Sequence, residues 1–227
     1  MNPGGHILSE FDEALKSFKS KTNTIGRLSQ QNLELALKGL FERKSELCNT
    51  VIAEDEEIDS LEVTIDEDGM TLMSKFRPFA GDLRLIIASM KITNVVERIG
   101  DHAVSIAKRT RKLLRNPELP ETLLIEPIFI LANQMVCDAL LAYNDGNQEL
   151  AMQVIEDDKK LNELHKNATK RLTKCLEADE GKHKDYINLV FIARWLERVG
   201  DLACNIAEDV IYMETATDIR HGGELPE

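Results

Sequence analysis

Glu97-Arg98-Ile99-Gly100-Asp101 is followed 100 positions later by Glu197-Arg198-Val199-Gly200-Asp201. Both copies of this motif lie in proline-free stretches with apolar residues at helical spacing, so the Glu and Asp of each copy share one helix face. Two carboxylates spaced i and i+4 repel each other by roughly 0.2–0.5 kcal/mol on a helix surface. Because the chain carries this repulsion twice, we expect each copy to have a partner that offsets it.

The composition favours long amphipathic helices over sheets. Of the 227 residues, 30% are charged, 5% are aromatic and only six are proline. The net charge of −12 argues against a nucleic-acid partner, since phosphate contacts need a basic surface. No stretch approaches ~18 uninterrupted apolar residues, and the N-terminus lacks the build of a signal peptide. We therefore expect a cytoplasmic protein without membrane insertion, with reduced thiols at its four scattered cysteines, Cys48, Cys137, Cys175 and Cys204.

The first predicted helix follows an N-terminal arm, residues 1–8, and has Ser9 as its cap. Helical periodicity alone would carry this helix as far as Ile65, which is too long for a globular domain. The internal repeat predicts a break instead. The second copy of this region is preceded by a strong turn signal, Asn144-Asp145-Gly146-Asn147, so the first copy should turn at 41–45 with Ser45 as the new cap.

The rest of the chain divides into five further helices. The second should end before Pro78, with Arg77 extended and Pro78 in the first turn of the third helix. The sequence predicts these approximate bounds for helices two to six: 45–75, 78–115, 126–143, 147–176 and 185–214. The fold class is therefore all-α, with two tandem three-helix bundles in residues 1–116 and 117–227, separated by the prolines Pro117 and Pro120. Helices three and six are apolar on more than one side, so we expect them to lie back to back at the centre.

A second set of polar residues lies one helix before each copy of the motif. Asp55 and Asp59 are spaced i and i+4, and the corresponding pair in the second copy is Asp158 and Asn162. If these helices pack antiparallel on the motif helices, their oxygens converge on a hard site for divalent or trivalent cations. The predicted metal ligands are Asp55, Asp59, Glu97, Asp101, Asp158, Asn162, Glu197 and Asp201. The alternative is a set of local pairs of Glu with Arg98 and Arg198, with the aspartates solvated.

Three further features have two interpretations each. The cations that crowd the end of helix three, Lys108, Arg109, Arg111, Lys112 and Arg115, either complement the helix C-terminus or form a docking patch for an acidic partner. His102 has no counterpart at Leu202, and we interpret it as a surface or core histidine rather than a ligand. Gly100 and Gly200 each cost about 1 kcal/mol inside a helix, which indicates close approach of another backbone or of a bound ion.

The sequence resembles the PhoU phosphate-uptake regulators over roughly residues 6–221. The resemblance is carried by the doubled E-R-[IV]-G-D motif and by Arg77-Pro78, Asp82-Leu83-Arg84, Val51-Ile52-x-x-Asp55, Val154-Ile155-x-x-Asp158 and Asp218-Ile219-Arg220-His221. It implies tandem three-helix bundles with multinuclear metal clusters, of iron or zinc in some members, on the acidic pairs named above. It also implies a cytoplasmic, often dimeric protein that links a phosphate ABC transporter ATPase to a phosphate-sensing histidine kinase. In that role the protein restrains uptake and silences the phosphate-starvation response. Asn162 departs from a strict acidic pair.

The expected role is therefore a non-enzymatic adaptor, and two alternatives stay open. One is a metalloenzyme of the di-iron carboxylate kind, but those sites use Glu-x-x-His pairs in a single four-helix bundle, and the repeated positions contain none. The other is a purely structural helical module whose carboxylates bind nothing. The sequence also contains no nucleophile–base pair, no phosphate-cradling glycine loop and no H-E-x-x-H motif.

Overall fold

The computed structural model describes residues 3–220, and in that range the protein contains six long helices and no strand. Two short 3₁₀ turns, Pro120–Leu124 and Glu180–Lys182, precede the fourth and sixth helices. The helices are α1 (Pro3–Phe41), α2 (Ser45–Phe76), α3 (Ala80–Leu113), α4 (Glu126–Asp145), α5 (Gln148–Ala178) and α6 (His183–Thr215). The all-α prediction is confirmed.

The helices form two three-helix bundles, α1–α3 and α4–α6, which meet along α3 and α6. Both central helices have fully buried residues on several sides, among them Ile92, Ile99, Ile192 and Ile206. The expectation that helices three and six lie back to back is therefore confirmed. The two bundles pack against each other along this interface. The division into separate domains at residues 1–116 and 117–227 stays a prediction.

The two central helices run antiparallel. Near one end of the interface Lys91 of α3 lies 3.3 Å from Asp209 of α6. Towards the other end Arg109 of α3 donates to the Asn188 side chain of α6 at 2.9 Å. Each motif therefore lies near the middle of the α3–α6 pair. There the motif of α3 is also next to α2, and the motif of α6 is also next to α5.

The turn that the repeat predicted at 41–45 is confirmed, because α1 ends at Phe41 and α2 begins at Ser45. The N-cap residue is Lys44, however, and not Ser45. Arg43 adopts a left-handed backbone with φ 55°, as Gly146 does with φ 64° in the second copy. The cost of that conformation in a residue with a Cβ is offset by two bonds, since the Arg43 guanidinium donates to the carbonyls of Leu114 and Asn116.

Three further predictions about helix ends are wrong: the N-terminal arm with Ser9 as its cap, the extended Arg77, and Pro78 in the first turn of the third helix. Residues 1–8 were expected to form an arm, but α1 begins at Pro3, a position where proline is tolerated because the first turn needs no N–H; residues 1 and 2 lie outside the described range. Arg77 is left-handed (φ 50°, ψ 57°) and not extended, because its N–H closes α2 by donating to the Met73 carbonyl. Consequently α3 begins at Ala80, and Pro78 lies in the connection.

The stretch Pro120–Asp145 is long and apolar enough, by length and composition alone, to cross a bilayer. In the protein it supplies one wall of the second bundle's core. Ile128, Ala132, Met135 and Ala139 are all buried, and their spacing places them on one face of α4. Within residues 3–220 all four cysteines are free thiols, as the sequence predicted.

Candidate metal centre

The first predicted cluster forms where α2 packs against α3. Asp55 and Asp59 project from α2, and Glu97 and Asp101 project from α3. Burial raises the pKa of the Glu97 carboxyl to about 7, and the neighbouring carboxylates of Asp101, Asp59 and Asp55 add to this. Burial likewise raises the pKa of Asp55, followed by Asp59 and Asp101. The carboxylates of α2 and α3 therefore lie close enough to repel each other.

A fifth carboxylate that the sequence analysis missed belongs to the same group. Glu62 of α2 is one of the charges that raise the pKa of Glu97. Asn94 of α3 holds it in place by donating to its carboxylate at 3.0 Å. The available signal was helical spacing, because Glu62 stands three residues after Asp59 and so shares its face.

The second cluster forms in the same way between α5 and α6. Asp158 and Asn162 lie on α5, and the Asn162 amide donates to one Asp158 oxygen at 2.7 Å. Burial raises the pKa of Asp201 on α6, with smaller contributions from Glu197 and Asp158. Glu197 accepts from the Arg194 guanidinium at 2.7 Å. Arg194, and not the motif's Arg198, is therefore the local partner of this glutamate.

The second cluster contains two carboxylate oxygens without partners. One oxygen of Asp158 and one of Glu197 are buried and accept no hydrogen bond from the described part of the chain. A buried carboxylate oxygen without a donor is costly, and a cation is the ligand that would satisfy it. The oxygen-only donor set of the eight predicted residues therefore fits a hard metal ion. Within residues 3–220 no three acidic, His or Cys side chains are already arranged to hold one, so the carboxylates would have to close around the ion.

Comparisons with known proteins agree with the internal repeat of the chain. The PhoU domain family model matches the chain twice, over residues 22–110 and 128–210. The chain belongs to the PhoU family. It is 34% identical to the phosphate-specific transport system accessory protein PhoU homolog of Xylella fastidiosa over 208 residues, which cover 92% of this chain and 88% of the relative.

Two solved PhoU structures have the same fold. The crystal structure of PhoU from Pseudomonas aeruginosa superposes with a TM-score of 0.87 at 32% identity, covering 89% of this chain and 98% of that one. The phosphate transport system regulatory protein PhoU from Streptococcus pneumoniae gives a TM-score of 0.83 at 25% identity, covering 91% and 97%. The tandem PhoU-like bundles predicted from the sequence are therefore confirmed.

The glycine of each PhoU motif faces the outer helix of its own bundle. A Cβ on Gly100 would lie 3.2 Å from the Ile58 side chain of α2, and one on Gly200 would overlap Leu161 of α5. The close approach predicted for these glycines is therefore made by a side chain, not by another backbone. Removing the Cβ lets α2 and α5 pack tightly on the central helices, next to the acidic residues.

Other functional groups beside the second PhoU cluster were missed by the sequence analysis. His165 of α5 interacts electrostatically with Asp201, although burial and Arg194 lower its pKa. The Cys204 thiol of α6 lies 3.8 Å from the Val154 carbonyl of α5, and it interacts with Asp158 and Asp201. His102 of α3 lies near Arg198 of α6: burial, Arg198 and Arg98 lower its pKa, and the adjacent Asp101 raises it.

The predicted basic run at the end of α3 separates into two groups. Lys108 lies near Asp55, and Arg111 lies near Cys48. The other three cations are Arg109, Lys112 and Arg115. Together with Lys184 of α6 they line a cleft of about 390 Å³ between the end of α3 and the start of α6. Within residues 3–220 none of these four forms an ion pair. The Arg109 guanidinium stacks on Phe191, 3.9 Å from the ring centroid.

Proposed function

We propose that this chain is a non-enzymatic cytoplasmic regulator that restrains phosphate uptake and silences the phosphate-starvation response when phosphate is plentiful. The observation that carries this proposal is the doubled PhoU domain, matched over 22–110 and 128–210 in one six-helix frame. The names of its relatives support it, since they describe accessory and regulatory proteins of phosphate transport systems.

We propose further that each bundle binds a divalent or trivalent cation, with iron or zinc as the first candidates. The ligands would be Asp55, Asp59, Glu97 and Asp101 in the first bundle, and Asp158, Asn162, Glu197 and Asp201 in the second. The buried oxygens of Asp158 and Glu197 that lack a donor support this assignment. A bound cation would neutralise the repulsion within each cluster and tie an outer helix to a central one.

The proposed partners are the ATPase of a phosphate ABC transporter and a phosphate-sensing histidine kinase, with a second copy of this chain as a homodimer. The basic cleft supports contact with an acidic surface: among the described residues its four cations form no ion pair, and Asp185, the acid in its lining, accepts from the Asn116 amide. The half-exposed ring of Phe191 beside Arg109 supplies apolar area at the cleft's edge.

The test of the regulatory role is a reporter of phosphate-starvation genes in cells grown in phosphate-rich medium. Deleting the gene should leave the reporter on, and the wild-type chain should switch it off again. A reporter that stays off in the deletion strain would contradict the role. Oxygen consumption with ferrous iron distinguishes the enzyme alternative, because a di-iron oxidase would consume oxygen and an adaptor would not.

Partner binding is tested by capture of the purified ATPase and of the kinase's cytoplasmic region. We expect Lys112→Glu/Arg115→Glu to weaken at least one of the two interactions, with a loss that grows as salt is lowered. Lys170→Glu/Lys174→Glu, which reverses two exposed cations on α5, is the matched control. Equal binding by all three proteins would exclude the cleft as the contact.

A further inference from the structure

The two acidic clusters occupy the same positions of the repeat but differ in their donors. Asp55 corresponds to Asp158 and Asp59 to Asn162. One turn further along the outer helices, Glu62 of α2 corresponds to His165 of α5. On the central helices, Val104 of α3 corresponds to Cys204 of α6. At these two positions the first cluster therefore has a carboxylate and an apolar side chain, whereas the second has an imidazole and a thiol. His102, which follows Asp101 on α3, lies near Arg198 of α6 and has no counterpart in the second copy.

Helical spacing and charge both associate His165 with the second cluster. His165 lies on the same face of α5 as Asp158 and Asn162, at spacings of seven and three residues. It interacts with Asp201 across the interface with α6. Glu62, its counterpart, interacts with Glu97 in the first bundle in the corresponding way.

Cys204 approaches the second cluster from the central helix. Its sulfur lies 3.8 Å from the carbonyl of Val154, one turn before Asp158 on α5, so the thiol points into the α5–α6 interface. It interacts with both Asp158 and Asp201. Val104, the residue at this position in the first bundle, is 3% exposed and offers no donor.

We propose that His165 and Cys204 make the second cluster selective for a borderline or soft cation such as Zn²⁺, while the first cluster prefers a hard cation such as Mn²⁺. This rests on the proposed function, because it assumes that both clusters bind metal. Imidazole and thiolate ligands suit Zn²⁺, and carboxylates suit Mn²⁺. The thiol proton passes to solvent when the sulfur binds the ion.

The test uses the metal-free full-length protein and four variants. His165→Glu/Cys204→Val gives the second cluster the residues of the first, and Glu62→His/Val104→Cys makes the opposite exchange. His165→Glu and Cys204→Ser are the single changes. The probes are Zn²⁺ and Mn²⁺ in competition, with metal counted per chain, and Cd²⁺ titrated in the ultraviolet, where a cadmium–thiolate bond adds a charge-transfer band.

We expect the wild-type protein to hold one Zn²⁺ against excess Mn²⁺ and to show the cadmium–thiolate band. His165→Glu/Cys204→Val should lose the band and weaken Zn²⁺ by at least about tenfold, since even residues that only support a ligand are worth 10–100-fold in affinity. Glu62→His/Val104→Cys should gain a second band and a second Zn²⁺. Thermal unfolding of each metal-free variant confirms that it folds.

Two results would overturn the proposal, and they differ. If Mn²⁺ binds while Zn²⁺ affinity and the cadmium spectrum are the same in wild type and His165→Glu/Cys204→Val, the selectivity is wrong but metal binding stands. If the wild-type protein binds neither ion, both the selectivity and the proposed metal sites fail. The reporter assay for the regulatory role is independent of either result. Should the double variants fail to fold, Cys204→Ser alone must still lose the band.

Discussion

The hydroxyl oxygens of Ser89 on α3 and Tyr143 on α4 lie 2.6 Å apart in the fully buried interior, where the two bundles meet. Ser89 already donates its one hydroxyl hydrogen to the Leu85 carbonyl at 2.7 Å. Tyr143 must therefore be the donor in the bond between bundles. The bond gives the apolar interface a polar contact that only one alignment of α3 and α4 satisfies.

Removing this bond should cost stability. Tyr143→Phe keeps the ring and deletes the donor, so we expect the free energy of unfolding to fall by about 1 kcal/mol. A double-mutant cycle with Ser89→Ala should show a coupling of roughly 0.5–1.5 kcal/mol. Urea unfolding of the four proteins measures it. Strictly additive effects would show that the two hydroxyls do not support each other.

Ala216 closes α6 in a left-handed conformation, with φ 60° and ψ 14°. That conformation costs a residue with a Cβ roughly 1–2 kcal/mol. Glycine avoids this cost, but its greater conformational freedom stabilises the unfolded chain by about 0.4–1 kcal/mol. Ala216→Gly should therefore stabilise the protein by about 0.5–1 kcal/mol in thermal unfolding. The control is Ala53→Gly on the exposed face of α2, which should instead destabilise by about 1 kcal/mol. A loss of stability at both positions would contradict the backbone argument.

Asn162 holds the Asp158 carboxylate through its amide. Asn162→Asp replaces that bond by repulsion, so we expect the metal-free protein to lose about 1 kcal/mol or less, given the exposure of this site. With Mn²⁺ present the added charge should tighten binding, and the melting temperature should rise more than in wild type. Asn167→Asp, also exposed on α5, is the control. An equal response of all three proteins to Mn²⁺ would exclude Asn162 from the site.

The raised pKa of Glu97 predicts a pH-dependent stability of the metal-free protein. The folded protein keeps a proton on Glu97 up to about pH 7, whereas an unperturbed glutamate releases it near 4.5. The stabilisation from this proton is complete below pH 4.5 and is lost as the pH rises through about 7. Glu97→Gln should flatten the curve of unfolding free energy between pH 5 and 8, measured with a chelator present. An unchanged slope would mean that another group titrates there.

For a hard cation, the first cluster should bind more tightly than the second. Asp55, Asp59, Glu97 and Asp101 can present four charges and Glu62 a fifth, whereas the corresponding second set has Asn162 at one position. Charge count sets much of the affinity of an oxygen site. In a chelator titration of Mn²⁺-loaded protein, the more tightly held fraction of Mn²⁺ should therefore be missing from Glu97→Gln and still present in Glu197→Gln. Retention of the tighter fraction by Glu97→Gln would reverse this ranking.

The repeat is what made the fold predictable from sequence. Periodicity alone joined α1 to α2, and only the turn signal Asn144-Asp145-Gly146-Asn147, transferred to the first copy, located the break before Ser45. The wrong end of α2 has a local cause. Arg77 adopts a left-handed conformation that glycine normally occupies, and a sequence pattern gives no reason to expect it there.

The candidate site was predictable in its motif residues and not in its surroundings. Glu62 and His165 stand three residues after Asp59 and Asn162, so helical spacing was a signal for both. Cys204 repeats no motif, and its approach to the second cluster is visible only from the packing of α5 on α6. The partner of Glu197 is a similar case. Arg194 and Arg198 both stand within one turn of it, and side-chain packing selected Arg194.

The arrangement of helices also divides the ligands of each cluster between an outer and a central helix. The central wall of α3 and α6 is held on both sides, whereas α2 packs mainly on α1 and α3, and α5 mainly on α4 and α6. Each outer helix carries half of an acidic cluster, and the wall carries the other half. An ion bound between them would therefore draw the outer helix towards the central pair. Metal binding would then shift the outer surfaces of α2 and α5 more than the interface between α3 and α6.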